Sequence, residues 1–212
     1  MRYFKKLEGE KVYLSPINQD DYETYVKWLN NPNITQYLDC NDSLITLSNE
    51  KDLLLKIGNE EFCFAIIKKE DDTLLGNVGV TKIDYKNGKA ELGIFIGDED
   101  NLSKGYGSEA IKLIVNFAFS ELRLHNIWLS VFSNNPRAIK AYTKSGFVEC
   151  GRRHEAIYHN GKYIDLIYME IINKNSLYLS LKILQVSLIL NLLNFQDIMK
   201  TVIKRIFCVD LV

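Results

Sequence analysis

The stretch Asn101 to Ala110 constrains this chain more than any other, because it sets Gly105 and Gly107 between two segments of different periodicity. Before it, Glu91 to Ile96 alternates as a strand does; after it, Ile111, Ile114, Val115, Phe117, Ala118 and Leu122 recur at helical spacing. Strand, glycine loop and helix N-terminus in that order make an anion cradle. The glycines permit a tight curl, and the first N–H groups of the helix, which have no intrahelical acceptor, face whatever lies in it. A phosphate or pyrophosphate is the expected ligand, and two nucleotide readings fail on spacing. A Walker A loop needs Lys and then Ser or Thr after its last glycine, and Gly107 is followed directly by Ser108 and Glu109. A dinucleotide fingerprint is formally met by Gly105, Gly107 and Ala110. However, Asp98 to Lys104 separate the strand from the first glycine, and no acidic residue closes the next strand at Phe132, Ser133 and Asn134.

With 212 residues, the chain has room for one α/β domain and a tail. A formal net charge of -1, with both signs mixed along the sequence, argues against a nucleic-acid partner held by a basic face. Cys40, Cys63, Cys150 and Cys208 have no C-x-x-C spacing, and His125, His154 and His159 have no metal-ligand spacing. No metal is expected, and reduced thiols in a cytoplasmic protein fit best. The charged start, Met1 to Lys11, lacks the apolar run of a secretory signal.

Along the chain, Lys11 to Ser15 reads as a strand, and Asn18 or Asp20 caps a helix striped by Tyr22, Tyr25, Val26, Trp28 and Leu29. Residues Ile34 to Ile57 give an interrupted helical pattern, best from Ser48 onward. Glu61 to Lys68, Thr73 to Lys82 and Lys89 to Gly97 form a meander. Beyond the glycine loop come a strand (Asn126 to Ser133), a helix (Pro136 to Ser145) and a strand (Gly146 to Arg152). The last strand, Tyr163 to Ile172, follows an Asn160-Gly161 turn. A meander feeding strand-helix units predicts an α+β, mixed α/β, sheet over residues 1–174. Residues 175–212 form an apolar tail with helical spacing. It reads first as a helix packed on the domain or on a second copy of the chain in a homodimer, then as a membrane-surface helix, and last as a span; functionless sequence is a further reading.

Two motifs in order, Lys104 to Ala110 and Asn134 to Ile139 with Tyr142, Lys144, Gly146 and Phe147, resemble the GNAT superfamily of acetyl-CoA-dependent N-acetyltransferases. Within it the chain is similar to the RimJ/RimL-like branch, which includes ribosomal-protein N-acetyltransferases. With Val12 to Leu14, Asp20, Trp28 and Leu29, the likeness covers roughly the first four-fifths of the chain. It implies a central, mostly antiparallel sheet flanked by helices, and acetyl-CoA as cofactor. The backbone of Ile94, Phe95 and Ile96 would pair with the pantetheine arm. The N–H groups of Lys104, Gly105, Tyr106, Gly107 and Ser108 would hold the pyrophosphate, and Asn135 would touch the cofactor or the tyrosine as well as capping its helix. Leu102 stands where the family often carries Gln or Arg, so the contact there falls to the backbone.

Transfer to an amine needs the free base, which is only about one part in a thousand of an alkylammonium near neutral pH. Glu91, at the start of the cofactor-bearing strand, reads as the base, directly or through water, and equally as an ordinary strand carboxylate. The resemblance assigns Tyr142 to protonate the departing thiolate; its spacing with Ala138 and Ile139 also suits a core stripe. Acceptor contacts are expected from Trp28 to Tyr37, from Tyr85, and from the Arg152 to Tyr163 segment, where His154, Glu155, Tyr158 and His159 precede the last strand. The acceptor is a small-molecule or peptide amine: an aminosugar, a protein N-terminus or a polyamine. The competing class is a non-catalytic acyl-CoA-binding or sensor module on the same scaffold.

Overall fold

The computed structural model describes residues 2–38, 43–60 and 62–174, and within these the alternating segments assemble into one eight-stranded sheet. The strands are β1 (Leu7–Glu8), β2 (Val12–Pro16), β3 (Phe62–Lys68), β4 (Leu74–Asp84), β5 (Lys89–Ile96), β6 (Asn126–Phe132), β7 (Val148–His159) and β8 (Lys162–Ile172). They lie in the order β1-β2-β3-β4-β5-β6-β8-β7. Every neighbouring pair is antiparallel except β5 with β6. A parallel pair needs a crossover, and α4 (Tyr106–Ser120) supplies it. The remaining helices are α1 (Tyr22–Leu29), α2 (Pro32–Thr35), α3 (Leu47–Glu60) and α5 (Pro136–Lys144).

The sheet buries both faces. On one, Ile111, Ile114, Val115 and Ala118 of α4 pack on Leu14, Ile66, Val78, Leu92, Leu129 and Met169. On the other, Tyr25 and Trp28 of α1 and Leu54 of α3 cover Tyr13, Ala65 and Ile67. The α4 stripe is the one its 3.6-residue spacing indicates. Each strand then presents alternate residues to the two layers.

The observed elements depart from the sequence reading at β1, which falls in the charged start, and at three further points. The interrupted pattern over Ile34 to Ile57 resolves into the end of α2 and a full α3. The strand expected to stop at Lys82 runs on to Asp84 through a bulge, with Lys82 at φ of 48°. The strand expected to stop at Arg152 runs on to His159, bulging where Glu155 adopts φ of 50°. A left-handed residue breaks the alternation that makes a strand legible, so both extensions are hidden from a period-two reading. Residues up to Ile172 form one compact unit, and the expectations for the tail over 175–212 lie outside the described residues. Among the described residues no helix is long and apolar enough to cross a membrane.

Candidate active site

The parallel pair β5–β6 holds together over only three positions, Lys89↔Asn126, Ala90↔Ile127 and Glu91↔Trp128. Beyond Glu91, β5 continues to pair with β4 as far as Ile96, and β6 with β8 as far as Phe132. The two strands therefore diverge, and a cleft of about 530 Å³ opens between Leu92–Ile96 on one side and Ser130–Phe132 on the other. The inner edge of β5 turns its N–H and C=O groups to the cleft with no strand opposite. Such an edge accepts an extended chain bearing amides. Ile94, Phe95 and Ile96 all line this wall. The Ile94 and Ile96 side chains pack toward the α4 layer and Phe95 toward the α1 layer.

The glycine loop closes one end of the cleft. Gly105 is the N-cap of α4 with φ of 91°, and Ser103 before it has φ of 62°. The first helical bond runs from Glu109 N–H to Gly105 C=O at 3.1 Å, so the amides of Tyr106, Gly107 and Ser108 have no intrahelical acceptor. Gly105, Tyr106, Gly107 and Ser108 all line the cleft. The two glycines do different jobs. Gly105 takes the left-handed turn, whereas Gly107 is an ordinary helical residue whose added Cβ would meet only Ile94 Cδ1 at 3.7 Å and Ile96 Cγ1 at 3.8 Å. Lys104 does not line the cleft; it sits with Lys11, Lys68 and Lys69 around a separate depression. The loop is braced from behind by residues that no local reading could pair with it. Glu109 accepts from the backbone N–H of Lys11 and Val12 at 2.9 and 3.2 Å, and Lys11 Nζ donates to Lys104 C=O at 3.2 Å.

Helix α5 forms the facing wall. Asn135, buried at its N-cap, accepts from Ala138 N–H at 3.1 Å through Oδ1, which leaves its Nδ2 as a donor toward the cleft it lines. Tyr142 lines the cleft, its ring 6.1 Å from that of Phe147. Burial pushes its hydroxyl up to about 12, so the O–H keeps its proton and remains a donor at neutral pH. Arg137, Lys140 and Lys144 also line the cleft, a basic stripe beside the amide cradle. Their spacing of three and four residues was a signal available in the sequence. Cradle, open strand edge and cationic helix suit a ligand with phosphates at one end and an amide-bearing arm, which are the parts of coenzyme A.

Where β5 and β6 part, Glu91 is the last paired residue. It lines the cleft, and its Oε2 lies 2.6 Å from Lys82 Nζ. Tyr37 lines the cleft too and stacks on His159, with ring centroids 5.8 Å apart at 16°. His159, in the Arg152–Tyr163 segment expected to meet the acceptor, is buried and bonded at both nitrogens, Nε2 to Gln36 C=O at 2.7 Å and Nδ1 to the Asn134 amide at 3.0 Å. A carbonyl only accepts, so Nε2 carries a proton. The other expected acceptor residues lie elsewhere. Trp28 is buried in the second core, edge-on to Tyr25 and Phe95, with its ring filling the space that the missing side chain of Gly97 leaves. Tyr85 is exposed on the β4–β5 connection, away from the cleft. His154 and Glu155 both turn to Asp165, through His154 Nδ1 at 3.3 Å and the Glu155 N–H at 3.0 Å, and neither lines the cleft.

Comparison with known proteins agrees with this architecture. Residues 11–148 match the acetyltransferase (GNAT) domain, which is more than half of the chain. An uncharacterized N-acetyltransferase, p20, of Bacillus licheniformis is 25% identical over 173 residues, covering 79% of this chain and 96% of its own. The spermidine N(1)-acetyltransferase of Vibrio cholerae is 33% identical over 112 residues, 53% of this chain and 64% of its own. The crystal structure of spermidine N-acetyltransferase from Vibrio cholerae in complex with CoA and spermine superposes with a TM-score of 0.69 at 28% identity, covering 77% of this chain and 96% of that one. A GNAT-family acetyltransferase from Bacillus anthracis has the same fold, with a TM-score of 0.69 at 20% identity over 78% of this chain and 97% of its own. The chain belongs to the GNAT acetyltransferase family and is an N-acetyltransferase that uses acetyl-CoA.

Proposed function

We propose that the protein acetylates a primary amine of a small cationic molecule by direct attack, with Glu91 and Tyr142 handling the two protons. The observation that carries this reading is the placement of both groups on one cleft: Glu91 where β5 and β6 part, and Tyr142 on the helix that closes the opposite wall. Acetyl-CoA supplies the acetyl group as a thioester. Glu91 takes a proton from the bound ammonium, directly or through water, and releases it to solvent. The neutral nitrogen bonds to the thioester carbonyl carbon and loses its second proton to water as the amide forms. As the C–S bond breaks, the Tyr142 O–H gives its proton to the leaving sulfur and is reprotonated from solvent. The cationic acceptor is supported by the carboxylate at the cleft and by the relatives that act on spermidine. The RimJ/RimL-like reading, acetylation of a protein N-terminus, draws on a putative ribosomal N-acetyltransferase of Bacillus subtilis, 29% identical over 104 residues, 49% of this chain and 56% of its own.

The test is a panel of amines (polyamines, aminosugars and peptides with free N-termini) assayed by release of the CoA thiol. Turnover of a small amine with loss of about a hundredfold in kcat for Tyr142→Phe is the expected outcome. Acetyl-CoA binding without turnover of any amine would instead leave the chain a non-catalytic acyl-CoA module. Preferential turnover of the peptides would replace the small cation by a protein N-terminus.

A further inference from the structure

Glu91 belongs to a row that crosses three strands. It pairs with Trp128 of β6, and Trp128 pairs in turn with Glu170 of β8. Their sequence neighbours Ala90, Leu92, Ile127, Leu129 and Met169 all belong to the α4-side core, so Glu91, Trp128 and Glu170 present to the opposite face. None of the three belongs to either buried core. Adjacent strands lie about 4.8 Å apart, which puts the two carboxylate-bearing Cα atoms roughly 10 Å apart with an indole between them. Asn126 Nδ2 donates to Glu170 Oε2 at 2.8 Å and orients that carboxylate. An alkylammonium is already seated at one end of the row: Lys82 Nζ lies 2.6 Å from Glu91 Oε2 and 5.9 Å from the centre of the Trp128 ring. The Lys82 side chain is 72% exposed and leaves the left-handed bulge of β4.

We infer that this row is a binding site for a linear aliphatic diamine, and that Lys82 occupies its reactive end until the acceptor displaces it. The amine to be acetylated takes the place of the Lys82 ammonium against Glu91, at the mouth of the cleft. Its methylene chain crosses Trp128, and its second ammonium pairs with Glu170. Carboxylate and aromatic face together select an alkylammonium over a neutral or anionic amine. This inference rests on the reading of Glu91 as the acceptor end of the cleft. It is tested by calorimetry on the full chain saturated with CoA, titrated with 1,4-diaminobutane and with n-butylamine, with CoA affinity measured alongside as the control for folding. Glu170→Gln should reduce the preference for the diamine over the monoamine about three- to fivefold, and Lys82→Met should tighten the diamine by a similar factor. The site is overturned if wild type binds neither amine, if Glu170→Gln leaves the preference within twofold, or if Lys82→Met fails to tighten binding. Because binding is read without turnover, the expected shifts without acetyl transfer would sink the proposed reaction and leave the site standing. Transfer with an unmoved preference would do the reverse.

Discussion

Gly105 holds the backbone at φ of 91°, a conformation that costs an L side chain roughly 1–2 kcal/mol. Gly105→Ala is therefore expected to lower Tm by several degrees and to weaken acetyl-CoA, because the strain falls on the residue that aims the amides of α4. Gly107→Ala, at a helical position with ordinary contacts, should not lower Tm and should raise it slightly if anything. Thermal melts of the two variants side by side check the distinction. At Tyr142 the prediction concerns pH. A hydroxyl held up to about 12 stays protonated, so it contributes no falling limb to kcat between neutral pH and about pH 10. A falling limb in that range that vanishes in Tyr142→Phe would contradict the assignment.

At the scale of elements, what could be read from the sequence was what is local. The strand, loop and α4 follow one another within a few residues, and Pro136 with Asn135 announces α5 by the chemistry of a cap. Pairings across long separations carried no such signal. Glu109 braces the backbone of Lys11, and His159 reaches Gln36, because the sheet brings them together. Trp28 shows the opposite failure. An aromatic on a helix face suits an acceptor wall as well as a core, and only the packing against Gly97 decides between them. The His159 clamp joins the wall at Gln36–Tyr37 to Asn134, next to the α5 cap. His159→Phe keeps the ring stack and removes both hydrogen bonds. It should raise KM for the amine about tenfold while changing KM for acetyl-CoA far less. Equal losses for both substrates would mean that the clamp merely holds the fold. Asn135→Ala, which strips a cap, should cost about 1 kcal/mol in urea melts.

Over the whole molecule, the second core carries a cost of its own. Glu50 of α3 is buried at 3% exposure, and burial raises its carboxyl above the usual 4.5. The sign follows from linkage. The neutral acid is favoured in the fold, so the native state is relatively more stable below the unfolded value, and this advantage is lost as pH rises through the folded one. Glu50→Gln should accordingly raise Tm at pH 7, with the gain vanishing below about 4.5. A gain that is the same at both pH values would rule out ionisation as its source. The divergence of β5 and β6 has another consequence. It leaves a hydrogen-bonding edge in the interior of a sheet, the kind of surface through which chains add to one another and aggregate. A ligand lying along it serves as the missing strand. At a hundred times its Kd such a ligand adds about 2.7 kcal/mol to stability. Acetyl-CoA should therefore delay aggregation on heating as well as enable transfer, so that the supply of a metabolite helps determine how long each copy of the protein stays folded.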